Sequence, residues 1–237
     1  MKIKAILFDL DGTLLPMNQE KFIETYLKLM AMRLESIGYD PKLLAKSMWE
    51  GVTAMVKNDG RCTNEEVFWK VFTGIHGEQA WNDKGFIDAF YLEEFNQVQK
   101  VCGFTPAAKE IIDMIQKTDK KLILATNPLF PKAATQNRIR WAGLKPEDFE
   151  LYTTYEDFCH CKPNLQYYLD IMEKIGCKSE ECLMVGNDVG EDMIAESIGM
   201  KVFLLTDCLI NKKEEDINRF PHGSFSELKQ FLKNIIS

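Results

Sequence analysis

The sequence predicts an α/β protein built on a doubly wound parallel sheet, with an all-helical domain inserted after the first strand. Three observations carry this. Four short apolar runs, Ile3 to Phe8, Leu122 to Ala125, Leu183 to Val185 and Val202 to Leu205, are near-continuous rather than alternating, as strands covered on both faces are. Segments with helical spacing separate the later runs, a strand–helix rhythm that a doubly wound sheet produces. The stretch from about Pro16 to Gly103 breaks that rhythm and carries no convincing strand.

In chain order, the first run leads into the helical insert. Phe22, Tyr26, Met30, Leu34 and Ile37 mark one helix face. Pro41 suits the first turn of a second helix carrying Leu44, Met48, Val52 and Met55. Thr63 with Glu66 forms a capping-box signature before Val67, Phe68, Val71 and Phe72. Phe86, Phe90 and Phe95 mark a fourth helix. So many helical residues exceed what a loop accommodates. Beyond the insert, Ala107 to Lys117 places Ile111, Ile112 and Ile115 on one face. Lys132 to Trp141 and Leu165 to Ile175 each stop shortly before a glycine, Gly143 and Gly176.

The chain has 237 residues, 46% of them hydrophobic, enough for a core that folds without covalent staples. Its 29 Lys and Arg against 36 Asp and Glu give a net charge of −7. That balance, with no long basic run, argues against a nucleic-acid partner and gives no support to a membrane surface. No segment approaches the roughly 20 apolar residues that span a bilayer, and the opening apolar run is too short for an export signal. Seven scattered cysteines are expected as free thiols in the cytoplasm.

Chemistry concentrates at the ends of the apolar runs. Phe8-Asp9-Leu10-Asp11-Gly12-Thr13-Leu14 follows the first, where open α/β sheets bind ligands. Thr126-Asn127 ends the second, Lys162-Pro163 lies just ahead of the next helix, and Gly186-Asn187-Asp188-Val189-Gly190-Glu191-Asp192 ends the third. An acid pair, a hydroxyl, a lysine and a second acidic cluster in that order form a specific joint pattern.

That pattern closely resembles the haloacid dehalogenase superfamily, most of whose members are phosphatases. The resemblance covers residues 1–15 and 105–237 as the catalytic core and places residues 16–104 where the family carries its cap. It implies the family's Rossmann-like sheet and a phosphomonoester hydrolase working through an aspartyl-phosphate. Asp9 is then the nucleophile, which splits one hard displacement into two easier ones. Asp11 protonates the leaving alcohol and later activates water. Mg²⁺ is held by Asp9, the backbone carbonyl of Asp11, and Asp188. Thr126 and the backbone at Asn127 donate to phosphate oxygens, and Lys162 adds a fixed positive charge whose loss should leave the fold intact. Asn187 assists through water or a hydrogen bond. Asp192 stands behind the metal ligands, with direct contact to the metal also open.

Other signals carry less. Cys159-His160-Cys161 lacks the partner pair that a zinc site needs. His76 and His222 suit surface or packing roles. Trp49, Trp69 and Trp81 suit packing within the insert, and Lys212 to Asp216 a solvated loop. Arg61 sits in a turn that has a chance of facing the site. Within the resembling family the metal-free dehalogenases lack an acid at the position of Asp11, which speaks against that branch. A phosphomutase sharing the same core, or a non-catalytic binding protein that kept the fold, are the alternatives. The expected partner is a small phosphorylated metabolite, and the sequence leaves the oligomeric state open.

Overall fold

Residues 2–236 are described in the structure, a computed structural model of the chain. Strands β1 (Ala5–Phe8), β2 (Lys121–Leu124), β3 (Leu151–Tyr152), β4 (Cys182–Gly186), β5 (Lys201–Leu205) and β6 (His222–Gly223) form one sheet in the order β3-β2-β1-β4-β5-β6, every pair parallel. The four long strands coincide with the four apolar runs. β3 and β6 escape such a reading because each has two residues, none of them fully buried.

Alternate side chains feed two apolar layers. Ile6, Phe8, Leu122, Leu124, Leu183 and Val185 point to one, and Ala5, Leu7, Ile123, Met184 and Leu204 to the other. Helices α6 (Pro106–Gln116), α7 (Lys132–Trp141) and α9 (Phe225–Ile236) contribute to the first layer. Helix α8 (Leu165–Ile175) and a 3-10 segment, Met193–Ile198, cover the second. On α6 the buried stripe is Ala108, Ile111, Ile112 and Ile115. Each of its isoleucines contributes about 1.5–3 kcal/mol by leaving water, so Ile112→Asp would break this contact.

The insert consists of α1 (Gln19–Glu35), α2 (Pro41–Val56), α3 (Asn64–His76), a single turn α4 (Gln79–Asn82), α5 (Lys84–Leu92) and a 3-10 segment, Glu94–Val101. The Thr63–Glu66 capping box forms as expected, Glu66 N–H donating to Thr63 Oγ1 at 3.2 Å and Thr63 N–H to Glu66 Oε2 at 2.7 Å. Pro41 occupies the first turn of α2, capped by Asp40. Two expectations need correction. Ile37 is 41% exposed, because α1 ends at Glu35 and the chain turns at Gly38. Phe95 is buried but lies in the 3-10 segment, since α5 stops at Leu92.

The two connections to the insert run side by side. Met17 and Cys102 form an antiparallel bridge, and Gly103 N–H donates to Pro16 O at 2.6 Å. The insert packs down onto the sheet domain. The Phe130 ring lies 6.0 Å from Phe22 and 5.4 Å from Tyr26. Asn64 Nδ2 donates to Pro128 O at 3.2 Å, and Asn137 Nδ2 to Tyr91 O at 2.7 Å.

Candidate active site

β1 and β4 lie side by side, and the chain winds outward from them in opposite directions, through β2 to β3 and through β5 to β6. Their carboxyl ends form the topological switch point where such sheets bind ligands. Asp9 leaves β1 there, its N–H donating to Val185 O at 2.9 Å. Asn187 and Asp188 leave β4 beside it.

Two glycines make room for close contacts at the strand ends. After Asp9 the chain folds into a compact loop in which Leu15 N–H donates to Leu10 O and Gly12 N–H to Leu15 O, both at 2.8 Å. Gly12 sits at φ +89°, and a Cβ there would lie 2.4 Å from Asn187 Nδ2. A Cβ on Gly186 would lie 2.1 Å from Asp192 Oδ2. A side chain at position 12 would push the first and last motifs apart, and one at position 186 would displace the Asp192 carboxylate.

Lys162 is 1% exposed, and its Nζ donates to Asp9 Oδ1 at 2.9 Å and to Asp192 Oδ1 at 2.6 Å. Burial alone would drive off its proton, but Asp192 and Asp9 more than offset this and hold the ammonium well above its ordinary range. Asp192 Oδ2 accepts from Asp188 N–H at 3.0 Å. Asp192 therefore spends both oxygens on the lysine and on shaping the Asp188 turn. Thr13 Oγ1 lies 3.1 Å from Asp9 Oδ2 and 2.9 Å from Asn187 Oδ1. A hydroxyl has one proton to give, and the shorter contact to Asn187 leaves Asp9 Oδ2 with lone pairs to spare. Asn187 is itself fixed, Nδ2 donating to Cys208 O at 2.7 Å.

Asp11 lines the same pocket, and its partner is a residue that sequence reasoning missed. Arg138 of α7, fully buried, donates through Nη1 to Asp11 Oδ2, while its guanidinium stacks 4.4 Å from the Phe130 ring centre. Burial pushes the Asp11 carboxyl up to about 6, against the pull of Arg138. The other oxygen, Oδ1, is buried without a hydrogen-bond partner.

Thr126 and Asn127 follow β2 into the pocket. The Thr126 carbonyl accepts from the Tyr167 hydroxyl at 2.8 Å. Asn127 Oδ1 accepts from Lys162 N–H at 3.2 Å, and its Nδ2 donates to Glu191 Oε2 at 3.1 Å. The Asn127 side chain thus ties three motifs together. Glu191 was the second omission, a largely buried acid on the pocket wall that burial holds above its ordinary range. Asp188 Oδ1 accepts from the N–H groups of Gly190, at 2.7 Å, and Glu191, at 2.9 Å. All eight residues singled out from the sequence therefore meet at one set of strand ends.

Several others stand elsewhere. Arg61 pairs with Asp59, its side chain 86% exposed. His160 bonds Asp170 at 2.6 Å, and Cys161 Sγ meets Asn64 Nδ2 at 3.2 Å. His76 bonds Ser47 Oγ at 2.8 Å within the insert, and His222 bonds Phe220 O at 2.9 Å on β6. Of the three tryptophans expected in packing roles only Trp69 is buried. Trp49 and Trp81 are 52% and 55% exposed.

The donor set suits a divalent cation. Asp9, Asp11, Asp188, Glu191 and Asp192 all line one pocket, against two buried cations, Lys162 and Arg138. That excess of negative charge would repel a phosphate unless a further cation offset it. Among the described residues no three His, Cys, Asp or Glu side chains converge as a ready metal cage. Two carboxylates and a carbonyl, with water completing the shell, match the hard, oxygen-rich and partly hydrated coordination of Mg²⁺.

Comparison with known proteins finds relatives of similar sequence and fold. A pyrophosphatase, PpaX of Bacillus velezensis, is 24% identical over 207 residues, 84% of this chain and 82% of that protein. The fold recurs in a HAD phosphatase from Thermococcus onnurineus, with a TM-score of 0.59, 19% identity, and 99% and 100% of the two chains covered. It recurs in a 2-haloacid dehalogenase from Pseudomonas syringae pv. Tomato, with a TM-score of 0.61, 19% identity, and 98% and 99% covered. The likeness thus extends over the helical insert as well as the sheet. The pattern of the haloacid dehalogenase-like hydrolases matches residues 3–195, and the chain belongs to that family of enzymes.

Proposed function

We propose that the enzyme hydrolyses a phosphate monoester through a phosphorylated Asp9. The observation that carries this reading is the setting of Asp9 at the switch point, on the pocket wall, with one oxygen held by Lys162 and the other 3.1 Å from Thr13 Oγ1. Asp9 attacks phosphorus, the bond from phosphorus to the alcohol oxygen breaks, and Asp11 gives that oxygen a proton. Water then attacks phosphorus, Asp11 takes its proton, and the Asp9–phosphorus bond breaks to release inorganic phosphate. Thr126 and the backbone at Asn127 orient the phosphoryl oxygens, and Lys162 stabilises their charge. Mg²⁺, held by Asp9, the Asp11 carbonyl and Asp188, would supply the positive charge that lets a carboxylate approach a phosphate. Asn187 and Asp192 hold these groups in place.

Residues 16–104 act in this reading as a cap domain that excludes bulk water, and the substrate is a small metabolite of the cytoplasm. Among the described residues, no helix is long and apolar enough to cross a membrane. The relative named as a pyrophosphatase shows that breaking a phosphate linkage is compatible with a related sequence. The test is rapid acid quenching with radiolabelled acetyl phosphate and Mg²⁺. Wild type should carry label on Asp9, and Asp9→Asn none. Label on the variant would overturn the assignment.

A further inference from the structure

Beside the carboxylate pocket lies a second, different space. A chamber of about 170 Å³ occupies the middle of the helical insert, between α1, α2, α3 and α5, with Leu129 and Phe130 as its floor. Ile23, Leu129 and Phe130 line both spaces, so the chamber adjoins the carboxylate pocket across these three side chains. Its walls are almost wholly apolar, with Met48, Val52 and Phe72 among them. Three of the polar side chains that reach it are already engaged, while the Trp69 indole N–H is buried there without a hydrogen-bond partner. Tyr26 and Tyr91 share a hydrogen bond of 2.8 Å, and Asp88 pairs with Lys84 at 2.8 Å.

Protein interiors rarely keep voids larger than a water molecule, and an apolar void costs stability in proportion to its volume. A chamber this large, adjoining a charged pocket, is therefore better explained by a ligand than by imperfect packing. Its size is informative, since a dry apolar cavity of about 150 Å³ accommodates benzene. Its chemistry is informative too. Several sugar hydroxyls placed here would lose water and gain little beyond the Trp69 indole N–H, whereas an apolar ring loses nothing. Met30, Met48 and Met55 on the walls supply adaptable contacts for such a ring. Trp49 lines the chamber and is half-exposed, which puts its outer end at the surface.

We propose that this chamber binds the organic part of the substrate, and that this part is an apolar, ring-sized alcohol. The enzyme then prefers phosphate monoesters of aromatic or compact aliphatic alcohols to those of sugars. This rests on the phosphatase reading above, and the experiment separates the two.

With the full chain and Mg²⁺, kcat/KM is compared for benzyl phosphate, a hexose 6-phosphate and acetyl phosphate, the last too small to enter the chamber. Benzyl phosphate should exceed the hexose ester by a factor on the order of 10². Val52→Trp, which fills the chamber far from the carboxylates, should lower kcat/KM for benzyl phosphate by about tenfold or more while acetyl phosphate stays within about twofold. Benzyl alcohol, titrated into the unmodified enzyme, should quench tryptophan fluorescence saturably and should not do so in Val52→Trp. A hexose ester turned over as well as benzyl phosphate, or a Val52→Trp enzyme unchanged toward benzyl phosphate, would overturn the proposal. If acetyl phosphate too resists hydrolysis, the phosphatase reading fails, and the benzyl alcohol titration alone decides the chamber: saturable quenching upholds it and none refutes it.

Discussion

Arg138 holds Asp11 by one oxygen: Nη1 donates to Oδ2, while Oδ1 of the same carboxylate is buried with no partner. The guanidinium is fixed in turn by the Phe130 ring and by Thr135 Oγ1 at 3.3 Å. Arg138 therefore sets the plane of the Asp11 carboxylate and leaves one oxygen for proton transfer.

If Arg138 is a positioning residue in this sense, Arg138→Met should slow esters of poorly leaving alkyl alcohols by about 10- to 100-fold, a share of what a general acid contributes. Aryl esters with good leaving groups need less proton transfer and should change by about threefold or less. Arg138→Lys should recover part of the loss, because it keeps the charge but not the fork. The measurement is kcat across a leaving-group series. Equal losses on every ester would reduce Arg138 to a structural role.

Lys162 behaves differently from its sequence expectation. Read from the sequence, it is a local charge whose loss leaves the fold intact. Its burial between Asp9 and Asp192 means that Lys162→Ala leaves two largely buried acids without their cation. Removing one partner of a buried pair typically costs about 3–5 kcal/mol, alongside a loss of turnover on the order of 10²-fold. The double variant Lys162→Met with Asp192→Asn should be more stable than Lys162→Met alone, because one stranded charge is gone. Urea denaturation measures both. A Lys162→Ala protein as stable as wild type would show that the pairs contribute nothing.

What the sequence makes legible follows from how local the signal is. The motif residues stand at strand ends in short strings, and the long strands are apolar runs, so both can be read without the fold. Arg138 cannot. It lies in a helix whose Lys132 and Arg140 face solvent, and its burial depends on contacts with Asp11, 127 positions away. The faint available signal was its place on the stripe of Ala134, Ile139, Trp141 and Ala142. Glu191 hid in the same way, as one acid within an acidic string. The chamber was illegible because it is a space between four helices whose apolar faces each look like ordinary core.

Metal binding should be measurable without turnover. At about 100 times its dissociation constant, Mg²⁺ should stabilise the fold by about 2.7 kcal/mol, which raises Tm by several degrees for a chain of this length. Asp188→Ala should abolish the shift, since it would remove one of the two proposed carboxylate ligands while leaving Asp9 and Lys162 in place. A chelated wild-type enzyme should lose activity and regain it with Mg²⁺. An undiminished Tm shift in Asp188→Ala would move the metal elsewhere.

The last prediction concerns acid stability and lies far from the carboxylates. His76 ends α3 and bonds Ser47 Oγ at 2.8 Å, with its ring 4.9 Å from Tyr39 and 4.5 Å from Phe72. Burial among these groups lowers its pKa from the ordinary 6.5. The unfolded chain therefore takes up the proton more readily than the folded one. His76 contributes its full stability above about pH 6.5, the pKa of the unfolded histidine, and loses it progressively as the pH falls toward the folded value. His76→Gln keeps a polar group near Ser47 but cannot titrate in this range. Its Tm should fall less steeply than that of wild type between pH 7.5 and pH 5, while the many carboxylates elsewhere affect both proteins alike. Parallel Tm profiles for the two proteins would show that His76 stays as accessible to a proton in the folded state as in the unfolded one.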